Sequence, residues 1–147
     1  MATTKRRIEV RGDDDQKIER VAAEAGIKPG MLVKLTAANK VTRHTTSGGA
    51  LGDENLIVLE DALQGNNVDT AYTIAEQVFL AIPKAGSEYN VLIADEENVA
   101  IGDKIMAGGT GLFKKNAGGT KVVGVATEDN DLTGSNTSDK LSTVRFV

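Results

Sequence analysis

The chain has 147 residues, a net charge of −4, two tyrosines, three phenylalanines, one histidine and neither tryptophan nor cysteine. Without cysteine there is no disulfide framework, zinc ribbon, thiol nucleophile or iron–sulfur site, and a lone His44 excludes a multi-histidine metal centre within one chain. No stretch nears the roughly 18 apolar residues of a membrane span, and the acidic balance argues against general nucleic-acid binding. The length suits one domain, with a core built mainly from Val, Ile, Leu and Ala. Such a core is thin, so self-association is expected to add burial.

The basic start, MATTKRRIEVRGDDD, has no apolar stretch behind it and is not expected to be a secretory signal. Residues 1–11 carry Lys5, Arg6, Arg7 and Arg11 against Glu9, a net +3, which leaves −7 on the remainder. Ile8 and Val10 alternate with charges as in a short edge strand. Two readings stand: a frayed terminus, or an arm over residues 1–12 that docks on an acidic neighbour. The body is then 13–147. Asp13, Asp14 and Asp15 precede Ile18, Val21, Ala22 and Ala25, one apolar stripe at helical spacing, with Gly26 and Pro29 as stop signals. The pattern predicts a helix near 15–25 capped by the aspartates. A calcium loop would need a glycine and a distal glutamate in register, and both are missing.

Beyond Pro29 the period becomes two. Strands are predicted at Met31–Leu35, Lys40–Thr45, Leu56–Leu59, Tyr72–Ile82, Ser87–Ala94, Lys104–Ala107, Gly111–Lys115, Lys121–Thr127 and Leu141–Val147, joined by Gly, Asn and Asp turns. The tally is mainly β, a compact barrel or sandwich-like body of β-tulip type with one short amino-terminal helix and an extended arm. An internal echo runs through it. Residues 29–33 and 41–43 fall on 101–105 and 113–115 at a shift of 72, and Ile57–Asp61 faces Val125–Asp129. Either two similar β-units pack around a shared core, or hairpins simply look alike.

Chemistry-bearing patterns are sparse. His44, on a polar strand, is expected at the surface, and no G-x-S-x-G elbow accompanies it. The glycine-rich stretches at 108–111 and 118–119 depart from the phosphate-loop pattern and read as hairpin tips. Asn136-Thr137-Ser138 fits a glycosylation pattern that means little without a secretory signal. Carboxylates at Glu60-Asp61, Asp95-Glu96-Glu97, Glu128-Asp129 and Asp131 read as turn residues on a solvated rim. Facing carboxylates could serve a glycosidase, but such clefts usually offer aromatic platforms, which this chain hardly has. No catalytic residue, metal or cofactor is expected.

The order of pieces then carries a resemblance. It comprises Ala25–Leu35 with its glycine turn, Leu56–Asp61, a strand from Tyr72 to Pro83 and Gly86, the V-x-x-G-D-x-[IL] step Val99–Ile105, and Val123–Glu128. Over residues 25–129 the chain resembles the capsid cement, or head decoration, proteins of tailed bacteriophages. The resemblance implies a β-rich body on the outer capsid surface of a virion, made in the host cytoplasm. It implies that the protein bridges major capsid protein subunits, usually as a homotrimer, without enzymatic activity and without nucleic-acid or membrane partners. It also implies docking through an amino-terminal segment, here Lys5, Arg6, Arg7, Ile8, Val10 and Arg11. A tail or head-completion ring subunit, or a carbohydrate-binding or carbohydrate-active module on the particle, are the alternatives.

Overall fold

The computed structural model describes residues 5–45, 56–116, 118, 121–134 and 139–147. The glycine-rich loop at 47–52 and the 136–138 triplet lie outside them. The described strands are β1 (Glu9–Arg11), β2 (Gln16–Ala22), β3 (Leu32–Ala37), β4 (Lys40–Arg43), β5 (Leu56–Val58), β6 (Gln77–Ile82), β7 (Glu88–Ile93), β8 (Asn98–Val99), β9 (Lys104–Ala107), β10 (Phe113–Lys115), β11 (Gly124–Ala126), β12 (Asn130–Asp131) and β13 (Lys140–Phe146). A single 3-10 turn at Ala62–Gln64 is the helical element among the described residues. The mainly β class holds.

β2-β4-β3-β5-β6 close into a barrel. β7-β10-β9-β11-β13 close into another, because β7 pairs with both β10 and β13. The two are the same unit twice, down to the register. Val33↔Arg43 and Leu35↔Val41 in the first hairpin become Ile105↔Lys115 and Ala107↔Phe113 in the second. Leu32↔Ile57 becomes Lys104↔Val125, and Val58↔Leu80 becomes Ala126↔Val144. The parallel closing pair Ala22↔Val41 becomes Ile93↔Phe113. Of the two accounts of the internal echo, the structure selects two similar β-units. Each has its own apolar cluster, where composition suggested one core.

The helix expected near 15–25 is strand β2. Its residues pair with β6 from Gln16↔Ile82 through Val21↔Gln77 and with β4 at Val21 and Ala22. Ile18, Val21 and Ala22 satisfy helical spacing, but an isolated helix of this length is marginal in water, and pairing with β6 satisfies its backbone groups. The Asp run caps nothing. Asp15 sits buried in the turn between β1 and β2, where its carboxylate accepts from the Tyr89 hydroxyl (2.6 Å), Ser87 Oγ (2.9 Å) and Lys84 N (3.2 Å).

Equivalent inward positions are filled differently. Ile18, Val41 and Ile82 in the first barrel correspond to Tyr89, Phe113 and Phe146 in the second, which meet edge to face with centroids 5.9 and 6.4 Å apart. Three of the five aromatics are thus concentrated in one barrel. The space is returned at one position: Leu56 of the first barrel is Gly124 in the second, where a Cβ would sit 2.7 Å from Arg145 O.

The barrels join through the outer face of the first. Leu32, Ile57 and Ala81 point away from its interior, yet all three are fully buried and share the cluster of the second barrel. Backbone bonds stitch the seam: Leu32 N to Gly111 O (2.8 Å), Gly111 N to His44 O (3.0 Å) and Leu92 N to Gly30 O (2.9 Å). His44, expected at the surface, is therefore buried at the seam, because its backbone ends β4 against the 111 loop of the other unit.

The duplicated turn offers an internal control. Gly30 and Gly102 are equivalent and both adopt positive φ, 89° and 91°. A Cβ at Gly102 meets nothing within 4 Å, whereas at Gly30 it lies 3.2 Å from Asn90 O and Leu92 N across the seam. Gly102→Ala should cost about 1–2 kcal/mol from backbone strain alone. Gly30→Ala should cost more. Urea denaturation of the pair checks this, and the difference reports the seam contact.

Candidate functional site

The residues singled out from the sequence lie on β1 and on the four residues before it, ahead of the first barrel. β1 pairs antiparallel with β7, Glu9 opposite Tyr89 and Arg11 opposite Glu88. The expected boundary between an arm at 1–12 and a body at 13–147 does not coincide with a break in packing over residues 5–12. Ile8 is fully buried and belongs to the second barrel's cluster, and Asn90 N donates to Ile8 O at 2.7 Å. Ile8 is thus a core residue and has no free side chain to offer a partner.

Two glutamates at equivalent positions of the two units hold this segment. Glu60, after β5, accepts from Ile8 N at 3.1 Å, and Glu128, after β11, pairs with Lys5 Nζ at 2.9 Å. Asn90 Nδ2 donates to Arg7 O at 2.7 Å, and Lys17 Nζ lies 2.8 Å from Glu9 Oε1. Lys5 is therefore engaged within the chain. Arg6, Arg7, Val10 and Arg11 are the members of the set that remain exposed. Arg7 and Arg11 reach carboxylates only at 3.8 Å (Glu9) and 3.7 Å (Glu88), which leaves their guanidinium groups largely in solvent.

The acidic turns behave as turns. Glu128, Asp129, Asp131, Asp69 and Asp139 line a cleft of about 660 Å³ between the units, together with Lys5, Lys28 and Lys140. Asp129 accepts from Ile101 N (2.7 Å), Asp131 from Thr133 N (2.9 Å) and Asp139 from Asp95 N (3.0 Å). Thr133 holds the exposed Asp131 carboxyl below its usual range. Among the described residues no group of three or more His, Asp or Glu side chains is placed to hold a metal ion.

The fold is similar to the head fiber gp8.5 N base of bacteriophage phi29, with a TM-score of 0.58 and 10% identity, over 90% of this chain and 94% of that one. At that identity the likeness concerns the fold: both barrels are included in it. No protein-family model matches the chain, and no curated protein matches its sequence.

Sequence reasoning missed the pairing of Asp15 with Tyr89. Burial, and then the Asp15 carboxylate to which it donates, push the Tyr89 hydroxyl well above the ordinary tyrosine range. Tyr89→Phe leaves a buried carboxylate short of one donor and should cost about 1–3 kcal/mol by chemical denaturation, without loss of the barrel.

The clamp on Lys5 has a pH signature. Burial raises the Glu128 pKa, but hydrogen bonds from Lys5 and Thr143 and the Lys5 charge outweigh it, so the group titrates below its ordinary 4.5. A folded-state pKa below the unfolded one adds stability that is complete above the unfolded value and is lost as pH falls through the folded value. Wild type should therefore be more stable than Lys5→Met near neutral pH, and the difference should shrink as pH falls below the ordinary glutamate value and through the lower folded one. Thermal melts across that range test the sign.

Proposed function

We propose that the chain is a structural protein of a bacteriophage virion that docks on the outer surface of the head and cements neighbouring major capsid subunits, as a homotrimer. The observation that carries this reading is the shared two-barrel fold of a head fiber base, which spans nearly the whole of both chains. The exposed cations of the first strand support it. Arg11 stands on β1, and Arg6 and Arg7 on the segment just before it, which is tied to the body through Lys5 Nζ, Arg7 O and Ile8 N, with Val10 half exposed between Arg7 and Arg11. A preformed edge spends less conformational entropy on docking than a segment that must first order, and arginine suits bidentate contact with carboxylates of a neighbour. In this reading the protein acts by binding alone, without enzymatic activity, nucleic acid or membrane.

Deleting residues 1–12 would be a poor test, because it removes Ile8 from the core. The charge-reversed variant Arg6→Glu/Arg7→Glu/Arg11→Glu keeps Ile8 and the backbone pairs. It should fold normally and lose at least tenfold in affinity for shells lacking the protein, which needs only about 1.4 kcal/mol. Co-sedimentation measures the affinity, and cryo-imaging of decorated shells measures the copy number at each site. Isolated single copies with no mutual contact would remove the trimer from the proposal. Equal binding of variant and wild type would remove the arginines.

A further inference from the structure

The duplication exposes a surface that the amino-terminal cations do not include. In the first barrel the outward row Leu32–Ile57–Ala81 runs across β3, β5 and β6 and is sealed by the second barrel. Its register equivalent in the second barrel is Lys104–Val125–Arg145, across β9, β11 and β13. Here the row faces outward and is not covered: Lys104 and Arg145 are exposed and Val125 is half-buried. The outermost strands of the row stand about 10 Å apart, two interstrand spacings. The three apolar residues have become two cations around a valine.

That exchange removes the driving force for a further barrel to stack, as a polar outer face does on the terminal unit of a repeat array. It also leaves a positive wall on a chain of net charge −4. The wall continues around the barrel: Arg145 lies opposite Glu88, which it reaches at 3.1 Å, and Glu88 lies opposite Arg11. The basic wall and the exposed Arg11 of β1 are therefore one continuous surface, with Glu88 shared between Arg145 and Arg11. Lys104 makes no ion pair among the described residues, so its ammonium remains available.

We infer that the Lys104–Val125–Arg145 wall of the second barrel is a docking surface for an acidic face of the major capsid protein, contiguous with the β1 edge. Lys104 and Arg145 supply the charge that selects and orients the partner, and Val125 supplies the apolar centre. This rests on the virion reading above and names the surface that performs it.

The test is co-sedimentation of purified protein with shells lacking it, over a series of salt concentrations, for wild type, Lys104→Glu/Arg145→Glu, and Arg6→Glu/Arg7→Glu. Lys104→Glu alone is the second wall variant, since it breaks no ion pair among the described residues and leaves the Arg145–Glu88 contact in place. The double wall variant should bind at least tenfold more weakly with a flatter salt dependence, and Lys104→Glu should lose affinity in the same direction, both with unchanged circular dichroism. Wild type that fails to bind any shell would overturn the virion reading itself. Wild type that binds while both wall variants bind equally tightly, with Arg6→Glu/Arg7→Glu impaired, would overturn the wall alone. Wall variants that lower the oligomeric order of the free protein and leave shell binding intact would assign the wall to a second copy of this chain, and the inference would fall.

Discussion

One constraint organises the molecule: Leu32, Ile57 and Ala81 stand on the outside of a closed barrel and must be kept from water. A five-stranded barrel fills its interior with side chains and presents alternate residues outward, where polar groups normally stand. Three apolar residues in one outward row make the first unit incomplete alone. The second unit covers them, and the seam fixes everything near it: the buried His44 backbone, the glycine at position 30, the 111 loop and the seat of Leu92. The amino-terminal segment is drawn into the same arrangement. Ile8 joins the cluster of the second barrel, Glu60 accepts from its backbone N–H, and Glu128, at the same position in the second copy, pairs with Lys5.

Much of this was legible in the residues. The β class, most strand positions and the repeat at a shift of 72 follow from alternation and glycine turns, and the repeat holds to the residue in the hairpin registers. β2 was not legible as a strand, because Ile18, Val21 and Ala22 lie on one stripe at helical spacing and the partner that decides the matter, β6, is some 60 residues distant. Tertiary pairing overrides local pattern in such cases. Asp15 looked like a cap for the related reason that its true partner, Tyr89, is remote in sequence. Of the candidate docking residues, the exposed Arg6, Arg7 and Arg11 could be named from charge and Val10 from alternation. The burial of Ile8 could not, since an isoleucine between charges reads equally as an edge or as a plug. Lys104 and Arg145 carry no local signal. They stand out only when the second barrel is superposed in register on the first.

The separation of roles between the copies follows from the same superposition. The first barrel spends its outer row on holding the second, and the second keeps the corresponding row for solvent or a partner. A chain with two apolar rows would stack end to end into an open array. A chain with two charged rows would hold no seam. The asymmetry between Leu32–Ile57–Ala81 and Lys104–Val125–Arg145 is what makes two units a finished object.

The exchange of Leu56 for Gly124 bears on which strand each hairpin can accept. A collapsing chain holds two hairpin templates of identical register, so β5 and β11 compete for the same slots, and backbone hydrogen bonds cannot tell them apart. Side-chain volume can. β11 in the slot of β5 would leave the first barrel a void where Leu56 belongs, and β5 in the slot of β11 would drive a leucine against Arg145 O and Val144. A full exchange of the two strands is penalised once for emptiness and once for crowding. A single glycine thereby lets two nearly identical templates sort themselves within one polypeptide.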